Sequence, residues 1–130
     1  MKPLSFIAAT VIAFSVVAPS LALADSTLGT GSFTGANDHI TTGGVSVVKT
    51  SNDDAVVILG DNFSLDGAPE PSVGFGKDSE YVKATDLGDL GELNGLQAFV
   101  VPASVNVADY NEIYIWCVKF NVSLGVASLN

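Results

Sequence analysis

The chain has 130 residues and a formal charge of −9, with fourteen acidic residues, five lysines, no arginine, and a single histidine, cysteine and tryptophan. This balance excludes nucleic acid and anionic membrane as partners, since both need clustered cations, and the length suits one domain with one core. A lone cysteine excludes an intramolecular disulfide, a CxxC dithiol, a CxxCH haem and an iron–sulfur cluster within one chain, and a blue-copper centre lacks its second histidine.

Residues 1–24 read as an export signal. Lys2 gives a positive start, Leu4 to Val17 an apolar stretch, Pro19 a break, and Ala22-Leu23-Ala24 a small-residue cleavage site before Asp25. The apolar stretch is shorter than a typical membrane span. The expectation is an extracytoplasmic protein, periplasmic or secreted, with no membrane span after cleavage and one domain over 25–130. Cleavage removes the only methionine, Met1, and His/Met haem ligation with it. Acidity then serves solubility, or a cationic protein partner.

Leu28 to Gly35 spells GxGxxxG, which lacks the spacing and context of a dinucleotide site and reads as a Gly-rich edge or turn. His39 to Lys49 predicts a strand kinked at Gly43-Gly44. Ser51 to Asp54 supplies a turn and Ala55 to Leu59 the returning strand. Gly60 to Pro71 is a loop whose Phe63 and Leu65 tuck onto the core. Ser72 to Lys77 alternates Val73 and Phe75 with Ser72, Gly74 and Gly76, so that one face carries only small side chains. A short strand is expected at Tyr81 to Ala84.

Asp86, Asp89 and Glu92 recur at three-residue spacing among leucines 87, 90, 93 and 96. They do not match a calcium loop, and the leucines suggest a turn pinned to the core with its acids solvated. Gln97 to Val101 predicts a strand ended by Pro102. Ala103 to Asn111 has room for one helical turn, and Leu124 to Leu129 reads as a last edge strand.

Between them lies the densest strand signal, Ile113 to Phe120, rich in β-branched and aromatic residues without Gly or Pro. Alternation sets Ile113, Ile115, Cys117 and Lys119 on one face and Tyr114, Trp116, Val118 and Phe120 on the other. Both faces are apolar, which predicts a central strand covered on both sides. The thiol then lies in or near the core, with Lys119 reaching water and Trp116 packing in the core. Roughly seven to eight short strands with no useful helix give an all-β fold, an antiparallel β-sandwich or flattened barrel.

Hydrolytic chemistry finds little support: His39 is the only imidazole, it sits beside a turn among polar residues, and no GxSxG elbow exists. Asn62-Phe63-Ser64 and Asn121-Val122-Ser123 match glycosylation sequons.

The segment NEIYIWCVKFNVSLGVA, with GSFTGANDHITTGGVSVV, DNFSLDGAPEPSVGFG, LGDLGELNGLQAFVVP and VNVADY upstream, resembles the DM-thirteen domain, a family of electron-transfer domains. The resemblance runs over nearly all of 25–130. It implies that Cys117 is the characteristic cysteine, acting as a free thiol or as ligand to a prosthetic group such as haem, and that the electron partner is a separate redox protein. Trp116 and Lys119 would support it as neighbours. Apolar surroundings suit a porphyrin but disfavour a reactive thiolate unless Lys119 or a backbone dipole offsets the burial. Two other readings stay open: an interaction module in which Cys117 only packs, and a cysteine that bridges two chains. All three describe a redox or interaction domain more readily than an enzyme.

Overall fold

Strands begin where the sequence turns β-branched or alternating, and end at glycine, proline and Asn/Asp turns. The computed structural model describes residues 26–130. The expected export signal, 1–24, lies outside the described residues. In chain order the strands are β1 (Ser26–Gly35), β2 (Thr41–Thr42), β3 (Gly44–Lys49), β4 (Ala55–Leu59), β5 (Ser64–Leu65), β6 (Pro71–Lys77), β7 (Glu80–Tyr81), β8 (Gly88–Asp89), β9 (Gln97–Val101), β10 (Glu112–Cys117) and β11 (Val122–Ser128). Two single-turn 3₁₀ helices, Lys83–Thr85 and Val107–Asp109, fill the longer connections.

One sheet runs β7-β6-β10-β11-β1-β3-β4-β9, with β8 also pairing β6, while β2 and β5 form a separate two-stranded ladder. Every pairing in it is antiparallel. The sheet curls into a half-barrel, as the all-β expectation requires. Its concave face collects Val45, Val47, Val57, Leu59, Val73, Phe75, Ile113, Ile115 and Cys117, the alternate residues of β3, β4, β6 and β10. Phe33 and Phe63 meet edge to face across this core at 5.5 Å. Phe63 and Leu65 are buried, as expected for a loop folded back on itself.

Four expectations are corrected. Leu28 to Gly35 is no edge or turn but part of a ten-residue strand between β11 and β3. Its glycines serve close approach, since a Cβ at Gly31 would collide with the carbonyl of Ser128. The terminal strand β11 is likewise interior, held between β10 and β1. The expected strand at Tyr81 to Ala84 is two residues, Glu80–Tyr81, followed by a 3₁₀ turn. Finally β10 stops at Cys117: residues 118–121 form the hairpin turn into β11, and Asn121 adopts a positive φ of 55° that asparagine tolerates.

Other strand and turn expectations hold in whole or in part. Gly43, at φ 99°, breaks β2 from β3 where the kink was expected, and the turn after Lys49 closes through the Thr50 N–H donating to Asp54 at 2.8 Å. Leu87 and Leu90 reach the core, whereas Leu93 and Leu96 stay exposed, so only half of the leucine series pins its turn.

Candidate functional site

Strand β10 lies between β6 and β11, so its two faces are set by alternation alone. Ile113, Ile115 and Cys117 face the core. Cys117 is 1% exposed; its thiol donates to the Pro69 carbonyl at 3.1 Å, and its sulfur accepts the Phe120 N–H at 3.5 Å. The hairpin turn is tied over it by the Val118 N–H, which donates to the Glu70 carbonyl at 3.0 Å. A chain-bridging disulfide is therefore blocked while the turn is closed.

Lys119 does not share the face of Cys117, because the alternation ends with the strand. It stands exposed in the turn, its Nζ 5.7 Å from the Phe120 ring centre. Trp116 does lie on the face opposite Cys117, but that face is not core. It is the convex side of the sheet, and the indole is half-buried there.

What covers this side is an aromatic group. Tyr81 of β7 reaches across β6 and stacks on Trp116, with ring centres 4.3 Å apart and planes 15° from parallel. Tyr114 meets Tyr81 at 5.6 Å and Trp116 at 6.2 Å, both edge to face. The rings fit because β6 presents Ser72, Gly74 and Gly76 beneath them. A Cβ on Gly74 would stand 2.7 Å from the Tyr81 ring, and one on Gly76 would run into Tyr114. Glycine in a strand is weakened by its missing side chain, and the tyrosine rings supply the cover it lacks.

The polar end of this group is equally defined. Thr85, buried in the first 3₁₀ turn, accepts the Phe75 N–H at 2.8 Å and donates to the Val82 carbonyl at 2.6 Å, which fixes the turn against β6. Asp86 follows directly. Its Oδ2 accepts the Ser72 hydroxyl at 2.9 Å and the Tyr81 hydroxyl at 3.2 Å, and its Oδ1 accepts the Gly88 N–H at 2.7 Å. Burial, and then the Asp86 charge, push the Tyr81 phenol well above the ordinary tyrosine range. Burial, followed by Glu112, raises Tyr114 in the same direction.

Sequence reasoning missed Tyr81, Tyr114, Ser72 and Asp86 as partners of Trp116. The signal was present, for a strand with one face of small side chains beside a strand with Tyr and Trp on one face leaves room that rings fill.

Other candidates lie elsewhere. His39, beside its turn, pairs through Nδ1 with Asp66 Oδ1 at 2.9 Å, a hydrogen-bonding role near the surface. Among the described residues no three His, Cys, Asp or Glu side chains converge as a metal site. A cleft of about 710 Å³ opens where Leu28, Val47, Val101, Val107, Tyr110 and Leu129 meet. It lies at the start of β10, whereas Cys117 closes the other end, about 17 Å along the strand. The sulfur is enclosed, both of its hydrogen-bonding roles are taken, and the cleft does not reach it, so the residues around Cys117 do not fit a haem.

The family model described as Electron transfer DM13 matches residues 32–129. Searches of curated proteins and of solved structures give no match.

Proposed function

Because the chain belongs to the DM13 electron-transfer family, we propose that it is an extracytoplasmic redox domain whose electron-carrying group is Cys117, used as a free thiol. In each exchange the Cys117 thiol gives one electron to a separate one-electron redox protein and its proton to water as the hairpin turn opens, which leaves a thiyl radical. One electron from a reduced redox protein, with a proton from water, restores the thiol. The observation that supports this reading is the setting of the sulfur. It is the only thiol, it ends a central strand, and its cover is one four-residue turn anchored through Glu70 and Phe120. Export is part of the proposal and rests on the pattern of Lys2, Leu4 to Val17 and Ala22-Leu23-Ala24.

A second reading has one observation in its favour. The 710 Å³ cleft is of ligand-pocket size and apolar at its floor, with Lys49, Asp53 and Asp54 at its rim, and Cys117 takes no part in it. In that reading the domain is a binding or interaction module and the cysteine a packing residue.

Ferricyanide titration of the folded protein, with iodoacetamide labelling alongside, separates the two. The thiol reading expects slow oxidant uptake that disappears in Cys117→Ala and parallels the labelling rate. Unchanged uptake in a folded Cys117→Ala variant, or none in the parent protein, overturns it and leaves the cleft as the working site.

A further inference from the structure

An aromatic side chain can also carry one electron, provided that a phenol in the path has beside it a base that takes the proton released. The buried thiol has no such base, for its hydrogen bond runs to the Pro69 carbonyl. The convex face has both. Trp116 is half-exposed, Tyr81 stacks on it at 4.3 Å, and the Tyr81 hydroxyl donates to the Asp86 carboxylate at 3.2 Å.

We propose that Trp116, Tyr81 and Asp86 form a one-electron relay on the outer face of the sheet, with Tyr81 as the resting place of the oxidising equivalent. A strong one-electron oxidant, such as an oxidised metal complex or metalloprotein, takes one electron from the Trp116 indole and is itself reduced by one. Tyr81 then returns one electron to Trp116, and its phenolic proton passes along the hydrogen bond to Asp86 Oδ2. The products are a neutral indole, a neutral phenoxyl radical, a carboxylic acid and the reduced oxidant, so charge and electrons balance. Reduction by one electron reverses the sequence and returns the proton from Asp86 to Tyr81. The raised affinity of the phenol for its proton keeps Tyr81 neutral before oxidation, so that the proton is present to be moved.

Neighbouring groups frame the pair. Ser72 donates to the same Asp86 oxygen as Tyr81, and Gly88 N–H donates to the other, which holds the carboxylate in place. Tyr114 closes the group edge-on to both rings. The relay rests on electron exchange as the task of the domain but not on the sulfur.

The test is photo-oxidation of the full chain by a photogenerated ruthenium(III) polypyridyl complex. Radicals are followed by transient absorption and electron paramagnetic resonance, and folding is checked by circular dichroism. The parent protein is expected to give a phenoxyl signal that Tyr81→Phe removes, while Tyr110→Phe, Tyr114→Phe and Cys117→Ser leave it. Asp86→Asn keeps the ring stack but removes the base, and is expected to slow phenoxyl formation at least about tenfold. Trp116→Phe is expected to slow it as well. A phenoxyl signal unchanged in folded Tyr81→Phe, or a rate unchanged in folded Asp86→Asn, overturns the relay, since stacking alone would be indifferent to the carboxylate. Ferricyanide is too weak an oxidant for the rings, so failure of the thiol reading appears in that titration and failure of the relay appears here.

Discussion

The ring of Tyr81 lies across the backbone of Gly74, so close that a single added methyl there would stand 2.7 Å from the ring carbon Cε1 and 2.9 Å from the hydroxyl oxygen. Strand β6 thus contributes to the aromatic group by what it omits.

Gly74→Ala is therefore expected to lift Tyr81 from its place on Trp116. The loss of stability should be about 1–3 kcal/mol, the usual penalty for forcing an extra methyl into a packed site. Urea unfolding measures the loss, and the emission of Trp116, the only tryptophan, reports the altered stack. An unchanged midpoint and spectrum would contradict the packing described.

For Cys117, both Cys117→Ala and Cys117→Ser should lower the unfolding free energy by about 1–3 kcal/mol, through lost packing in one and imperfect hydrogen bonding in the other. The same sulfur should react with iodoacetamide only as the protein opens. Labelling rates should then climb with urea in step with local or global unfolding. Immediate labelling in water would mean that the turn does not cover the sulfur.

Acid should act through Asp66. The Ile40 N–H, and then the His39 hydrogen bond, hold its carboxyl below the ordinary aspartate range. A carboxyl with a depressed value in the folded state adds stability above its unfolded value, and that stability is lost as pH falls through the folded one. Asp66→Asn should flatten the fall in urea midpoint below about pH 4 and leave the rest of the profile alike. Since Asp66 is solvent-exposed, the expected effect is small, and it should shrink further in high salt, which screens the attraction of His39.

Alkali should act through Tyr81, with the opposite sign. Its folded-state value is raised above 10.0, chiefly by burial. The stability this represents is complete below the unfolded value and is lost as pH rises beyond it, because only the unfolded chain then releases the proton. Tyr81→Phe should remove part of the decline in stability above about pH 10. Ultraviolet titration of the folded protein should find two phenols, Tyr81 and Tyr114, that ionise after an ordinary tyrosine, and Tyr81→Phe should remove one of them.

Much of this architecture was legible in the sequence, and the failures have physical causes. Runs such as Ala55 to Leu59 and Gln97 to Val101 announce strands because β-branched residues fit a pleated surface, and the Gly43 break follows from a residue free to take positive φ. Cys117 was placed in the core by alternation alone. Leu28 to Gly35 was misjudged because glycine marks both turns and tight strand contacts. Only the partner at Ser128 decides between them. Trp116 was assigned to the core because hydropathy cannot tell an inner face from an outer one roofed by rings. That distinction depends on β7, which is two residues long and too short to carry a periodic signal.

The margins of the half-barrel differ. On one side the sheet finishes in the two residues of β7, a stub with too few free amides to template another chain; on the other it finishes in the five residues of β9, where Val100 points outward. Two copies joined along β9 would each have spent the longer of the two margins that the described residues give this sheet. Edge-to-edge pairing through β9 would close at two copies, because the β7 stub offers a third copy only two residues to pair with.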